Sequence, residues 1–322
     1  LRTADRVLLK LAQFEAKTFN ELFDAVFQID WFDFLPIDAN FSIHATSNKS
    51  QLHSCPAIQS ITQKAIFKKL QKKYSQNHFS QIGPKYEIFI KIEKDQCLIG
   101  LNTSGQSLHK RGYRKKQSTA PIKETLAAAM VNLSEWNQNN TLLDPFCGSG
   151  TIPIEAALIA KNIPPGLNRS YDFLKWKHFL NIEQLKEIFH QARSSADYSQ
   201  NIKIYGSDYE KYPINIATDN AEKANVSDII FTQTKFEDID FSKFENLTII
   251  SNPPYGERMN EISEVRKISK KLGEIFKLSN IKSLNIITAS ETFEEDFALK
   301  ANKNRKLYNG KIKCYFYQYS KS

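Results

Sequence analysis

The 322-residue chain contains no run of about 18 apolar residues, the length a membrane-crossing helix needs. It has only 4 cysteines, Cys55, Cys97, Cys147 and Cys314, and none forms a CxxC or CxxH pair. A zinc site or a disulfide framework is therefore disfavoured, and a reducing, cytoplasmic setting fits. The six histidines, at 44, 53, 78, 109, 178 and 190, show neither metal-ligand nor catalytic-triad spacing. No metal is expected. No apolar segment of the signal-peptide kind follows the opening Leu1-Arg2-Thr3-Ala4-Asp5-Arg6. The chain also lacks an initiator Met, so it is expected to begin inside a longer protein. No repeat, helix-turn-helix or zinc element is evident.

Charge and core material are present. Hydrophobic residues make up 41%, which supports packed cores and excludes wholesale disorder. The length suggests two domains. The net charge is +9, and residues 1–120 hold 18 basic against 10 acidic side chains, so nearly all the excess lies there. That asymmetry points to a polyanion partner, most simply nucleic acid.

The first third reads as a small α+β unit. Strands are expected over 6–16 and from Phe41, and a helix over 18–30 with Thr18 and Glu21 as a capping box. A helix is expected over 56–74, and a hairpin turns at Lys94-Asp95. Residues 106–120 read as a basic linker, and Pro121 opens a helix. From Thr141 strands and helices alternate: strands at 142–144, 202–208, 229–234, 247–251 and 283–289, with helices between. A hairpin around Asn309-Gly310 closes the chain. This order predicts a doubly wound α/β domain. The expected division is 1–105, linker 106–120, and 121–322.

Two motifs carry chemistry. Asp144-Pro-Phe-Cys-Gly-Ser-Gly-Thr151 lies between a strand and a helix. Gly148 and Gly150 let the backbone approach a ligand, and the helix start presents N–H groups suited to a carboxylate. The spacing is not GxGxxG and no GK[ST] follows, so a dinucleotide or triphosphate loop is disfavoured. Asp144 can meet an α-amino group, while Asp208, ending the next strand, suits ribose hydroxyls. An amino acid at one turn and a ribose at the next describe S-adenosylmethionine. Phe146, Cys147, Ser149 and Thr151 complete this donor-binding set.

The second motif is Asn252-Pro253-Pro254-Tyr255, at the end of an apolar strand. The prolines fix φ and remove donors. The Asn252 side-chain oxygen and the Pro253 carbonyl can accept both hydrogens of an exocyclic amine, aiming its lone pair at a methyl donor. Tyr255 offers a face for stacking a base. A sulfonium donor needs little beyond positioning.

The basic cluster Lys110, Arg111, Arg114, Lys115 and Lys116, with Tyr113, is expected to contact RNA phosphates and unpaired bases. Lys68, Lys69 and Lys72, on the polar face of helix 56–74, are further candidates.

With these residues in hand, the chain resembles the bacterial THUMP-domain RNA methyltransferases. That family is similar to the 23S ribosomal RNA guanine-N2 methyltransferase and is often labelled as N6-adenine-specific DNA methylase. Leu108-His-Lys-Arg-Gly-Tyr-Arg114, Ala120-Pro-Ile-Lys-Glu-Thr and the opening residues match too, so the resemblance covers essentially the whole chain. It implies that residues 1 to about 105 are most of a THUMP-containing RNA-binding unit, truncated at its N-terminus. It implies a class I Rossmann-like domain with a seven-stranded sheet and a C-terminal antiparallel hairpin. Gly148, Ser149 and Gly150 would bind the donor, Asp208 its ribose, and Asn252 with Tyr255 would be catalytic. Such enzymes often carry an Asp after the third strand, where this chain has Thr234-Lys235-Phe236; Glu237 or Asp238 would substitute. The expected activity is methyl transfer to guanine N2 in 23S ribosomal RNA. The alternatives are an N6-adenine DNA methyltransferase and a non-catalytic RNA-binding protein of the same fold.

Overall fold

The computed structural model describes residues 1–114, 121–176, 180–255 and 259–321, with the side chains of 259–262 set aside. Contacts divide the chain into two units: residues 5–108 with 170–182, and residues 1–4 with 109–169 and 183–322.

In the first unit, β1 (Leu8–Glu15), β2 (Asn40–Asn48), β3 (Lys85–Glu93) and β4 (Gln96–Asn102) form one sheet in the order β1-β4-β3-β2. Only β2 and β3 run parallel. Lys94 and Asp95 both take positive φ (51° and 63°), the conformation a two-residue hairpin requires. Helices α1 (Phe19–Gln28) and α2 (Cys55–Tyr74) cover the sheet. The capping box is complete: Glu21 N–H donates to Thr18 Oγ1, and Glu21 accepts from the Thr18 amide. Along β3, Tyr86, Ile88, Ile90 and Ile92 are buried, a period-2 pattern that turns one face to the core.

Residues 170–182 correct the linear domain division. Trp176 is buried in the core of this unit, stacked on Tyr86 with centroids 4.8 Å apart, and its indole N–H donates to the Lys85 carbonyl. What reads as a catalytic-domain insertion is in part a strap completing the N-terminal core. Its anchor is one large aromatic side chain, which local periodicity does not reveal.

The second unit is built on a seven-stranded sheet. Its strands are β5 (Leu142–Asp144), β6 (Ile204–Asp208), β7 (Ile230–Gln233), β8 (Leu247–Ser251), β9 (Ile281–Thr288), β10 (Lys303–Asn309) and β11 (Ile312–Ser320), in the order β10-β11-β9-β8-β5-β6-β7. Strands β5 to β9 are parallel, and β11 and β10 add antiparallel. Helices α3 (Glu124–Leu133), α4 (Thr151–Ala160), α5 (Ile182–Ser194), α6 (Lys211–Lys223), α7 (Met259–Phe276) and α8 (Phe293–Phe297) accompany it. Between β7 and β8 the chain makes only short 3-10 turns, Phe236–Asp238 and Phe241–Lys243. Helix α3 starts at Glu124 rather than at Pro121, because Lys123 is extended (ψ 140°) and the Ile122 carbonyl accepts from Arg114.

Neighbouring residues on these strands serve different cores. Leu142, Ile250, Ile287 and Phe316 join the cluster that includes α4; Leu143, Ile249, Ile286 and Tyr317 join the one that includes α7. Both sheet faces are covered, so β8 is buried at every position. The chain lays β5, β6 and β7 in one direction and then returns to place β8 on the other side of β5. A crevice opens at such a reversal, outside the carboxyl ends of the two strands.

Candidate active site

Both motifs meet at that reversal. Asp144 ends β5 and Ser251 ends β8, and the Ser251 hydroxyl donates to Asp144 Oδ1 at 2.5 Å. The same oxygen accepts from the Phe146 amide at 3.1 Å. Burial pushes the Asp144 carboxyl up to about 7, against the pull of these two hydrogen bonds.

The loop after β5 is held by the next strand. Cys147 N–H donates to the Ser207 carbonyl at 2.9 Å, and Gly148 N–H to Asp208 Oδ2 at 3.1 Å. The other Asp208 oxygen accepts from Glu210 N–H, and Asn220 donates to the Ser149 carbonyl. Gly148 (φ 51°) faces open space, where a Cβ would meet nothing within 4 Å. Gly150 (φ 80°) is packed tightly: a Cβ there would lie 2.9 Å from Ala217 Cβ and 3.0 Å from the Phe231 ring. Gly150 also caps α4 without any side-chain hydrogen bond, so that helix start presents backbone donors with no protein side chain capping them. Burial holds the Cys147 thiol well above its usual value, so it stays protonated.

Beyond β8, Pro253 is buried and Asn252 and Tyr255 are half-buried. The Tyr255 hydroxyl donates to Asn252 Oδ1 at 2.5 Å, while the Cys314 thiol on β11 donates to the Tyr255 oxygen at 3.6 Å. Burial raises the Tyr255 hydroxyl pKa far above normal, so it remains a neutral donor. The sequence reading gave Tyr255 a stacking face; the structure packs its ring against the core beside α4 and adds a hydroxyl that occupies the Asn252 acceptor. Residues 256–258, the Gly-Glu-Arg that follows Tyr255 in the sequence, lie outside the described residues.

The basic linker is where structure and sequence diverge most. Arg111 is 3% exposed and lies against α4, its Nε 3.4 Å from Glu155 Oε1 and its Nη2 donating also to the Arg2 carbonyl. Tyr113 is buried, its hydroxyl donating to Glu155 Oε1 at 3.2 Å. Arg114 pairs with Glu124 at 3.4 Å and donates to Thr151 Oγ1, the first residue of α4. Arg111, Tyr113 and Arg114, expected from the sequence to face RNA, are instead turned inward by buried carboxylates. Gly112 between them (φ 100°) passes so close to the Asn168 carbonyl that a Cβ would sit 2.1 Å away. Lys110 is exposed, and Lys115 and Lys116 lie outside the described residues. On α2, Lys68 and Lys72 are exposed, but Lys69 is committed to Asp30 at 2.9 Å.

Glu155 and Glu124 were missed by sequence reading. A lone acid inside the apolar run Thr151-Ile-Pro-Ile-Glu-Ala-Ala-Leu158 was the available signal, since an unpaired buried charge is rare. Burial pushes the Glu155 carboxyl up to about 7 against the opposing Arg111 charge. Among the described residues, no group of three His, Cys, Asp or Glu side chains is arranged to hold a metal ion, and no helix is long and apolar enough to cross a membrane. Glu237 and Asp238 are exposed in a 3-10 turn after β7, while Phe236 is buried against Phe146.

Comparison with known proteins places this geometry. The RMKL-like methyltransferase domain (UPF0020) matches residues 111–318, and the THUMP domain matches residues 16–102. YpsC of Bacillus subtilis, a candidate RNA methyltransferase by name, is 43% identical over 99% of this chain and 83% of its own. Ribosomal RNA large subunit methyltransferase K/L of Shewanella frigidimarina is 34% identical over 99% of this chain, which spans 46% of that longer protein. The crystal structure of SMU.472 complexed with S-adenosylhomocysteine superimposes with a TM-score of 0.90 at 40% identity, covering all of this chain and 85% of that one. The chain belongs to the RMKL-like methyltransferase family, with a THUMP domain preceding the methyltransferase domain in sequence.

Proposed function

We propose that the protein transfers a methyl group from S-adenosylmethionine to an exocyclic amine of an RNA base, and that the amine is guanine N2 in 23S ribosomal RNA. The observation that carries this reading is the adjacency of β5 and β8, which sets Asn252 beside the Asp144–Thr151 turn. The turn fits the donor: an open cradle at Gly148, a helix start without a side-chain cap, and Asp208 at the neighbouring strand tip. A solved relative carries S-adenosylhomocysteine, and the names of YpsC and the K/L enzymes favour RNA, while a 40% identical solved structure from Listeria monocytogenes is named a predicted N6-adenine-specific DNA methylase.

The donor, when bound, supplies an electrophilic methyl group; the remaining work falls to this chain. Asn252 Oδ1 and the Pro253 carbonyl accept the amine hydrogens, which turns the nitrogen lone pair out of the ring plane. Tyr255 holds that same Asn252 oxygen, whose second lone pair remains for the amine. With a hydroxyl pKa raised this far, Tyr255 orients rather than deprotonates. Asp144 spends its Oδ1 on Ser251 and Phe146 and so fixes the spacing of the two strand tips.

Mapping modified nucleotides in total RNA, with and without the gene, tests the assignment. Asn252→Ala should abolish the mark yet leave S-adenosylhomocysteine affinity within about threefold, because a lost amide contact alters orientation rather than donor binding. Methyl transfer to DNA adenine and none to RNA would refute it in favour of the second reading. A protein that binds no donor in calorimetry would be the non-catalytic alternative.

A further inference from the structure

Tyr255 has two opposite ways of meeting Asn252. If its hydroxyl donates, it fixes the amide with Oδ1 toward the phenol and leaves the second lone pair of that oxygen to an amine hydrogen. If its hydroxyl accepts, it favours the amide turned over, with Nδ2 in that place and no oxygen to grip the amine. The surroundings of the Tyr255 oxygen decide between the two, because a phenol has one proton and two acceptor positions.

Both acceptor positions are claimed by the closing hairpin. The Cys314 thiol on β11 donates to the Tyr255 oxygen at 3.6 Å, and Asn309, which ends β10, donates to it from its side-chain amide. The strand register explains why both reach it. Leu307 pairs with Cys314 and Asn309 with Ile312, so positions 307, 309, 312 and 314 share one face of the hairpin. Cys314 is fully buried on that face, and Leu307 and Tyr255 pack against the same cluster. The thiol's alternative acceptor, the Ile312 carbonyl, is slightly farther at 3.7 Å. With two donors directed at its oxygen, the hydroxyl sends its own proton to Asn252 Oδ1, 2.5 Å away. A thiol suits this place, because sulfur accepts weakly and does not compete for that proton.

We propose that Asn309 and Cys314 are positioning residues for methyl transfer: from the β10–β11 hairpin they fill the acceptor positions of Tyr255 and so present the Asn252 oxygen to the amine. The inference rests on the amine-grip reading above and extends it to an element in which the sequence showed no catalytic motif.

Steady-state methyl transfer tests it, with total RNA and DNA from cells lacking the gene as substrates. Asn309→Asp keeps the shape but offers acceptor oxygens, which draw the Tyr255 proton away from Asn252. It should lower kcat by roughly 10- to 100-fold. Cys314→Val removes a weaker donor and should lower kcat by about 3- to 10-fold. Neither should change KM for the nucleic acid, or S-adenosylhomocysteine affinity in calorimetry, by more than about twofold. Unchanged affinity also shows that the variants are folded. Both losses should vanish in a Tyr255→Phe background, since the two residues act only through that hydroxyl. A kcat for Asn309→Asp within about twofold of the unaltered protein would overturn the inference. So would a loss carried by donor affinity, as a merely structural role gives, or one undiminished in the Tyr255→Phe background. If the unaltered protein methylated neither RNA nor DNA, the amine-grip reading would fall and this inference with it, a result distinct from the others.

Discussion

Glu155 provides a demanding test of the buried network. Its side chain is fully enclosed, faces Arg111 at 3.4 Å and accepts from Tyr113 at 3.2 Å, with Arg2 contributing a second positive charge nearby. Glu155→Ala strips the carboxylate from two guanidiniums, and a guanidinium cannot shed its charge. Breaking a buried pair in this way costs about 3–5 kcal/mol. For a unit of this size that is a fall in Tm of roughly 6–20 °C, at about 2–4 °C per kcal/mol. Arg111→Met is gentler, because an orphaned carboxyl can take a proton. Glu155 already titrates at about 7 with Arg111 opposing the rise, so losing Arg111 lifts it further. The cost of Arg111→Met should therefore be small at pH 6 and grow toward pH 8. The double change Glu155→Leu with Arg111→Met should recover most of the loss, since an apolar replacement of a buried pair is close to neutral. Urea denaturation at pH 6 and pH 8, followed on the methyltransferase-unit transition, measures all three. A Glu155→Ala cost below about 1 kcal/mol, or an Arg111→Met cost as large at pH 6 as at pH 8, would refute the argument.

Further outcomes follow from single contacts. Gly150→Val should abolish S-adenosylhomocysteine binding in calorimetry and destabilise the unit by about 1–3 kcal/mol, given the φ of 80° and the contacts with Ala217 and Phe231. Asp144 titrates at about 7 in the fold, above the ordinary 3.8. A carboxyl raised on folding favours the folded state at low pH, and that contribution is lost as pH rises from about 4 through about 7. Asp144→Asn should flatten this part of the stability–pH curve in denaturation measurements. Trp176→Ala should cost the N-terminal unit about 3–5 kcal/mol, the range for an enclosed aromatic, while S-adenosylhomocysteine affinity stays unchanged.

The opening charge asymmetry changes meaning once the linker is seen. Arg111 and Arg114 are neutralised internally by Glu155 and Glu124, and Lys69 by Asp30. Within the described residues, the cations still facing solvent among those singled out are Lys68, Lys72 and Lys110. Net charge counts side chains but not their partners, and it overstated the basic surface of the linker.

Some of this protein is written in local sequence. The capping box at Thr18, the turn at Lys94-Asp95, the apolar run Leu247–Ser251 and the two glycine and proline motifs depend on neighbouring residues alone, through φ/ψ limits and short-range hydrogen bonds. Strand and helix alternation was enough to imply the sheet that carries both motifs. Other features depend on long-range packing and were decided by the tertiary structure. Arg111 finds Glu155 across 44 positions, Asp144 finds Ser251 across 107, and Trp176 crosses 91 positions to the carbonyl of Lys85. A linear reading sees a basic linker, a strand tip and a loop tryptophan. The folded chain turns them into a buried ion pair, a strap between neighbouring strands and a core anchor, because a charge or an indole removed from water must find a partner wherever the chain provides one.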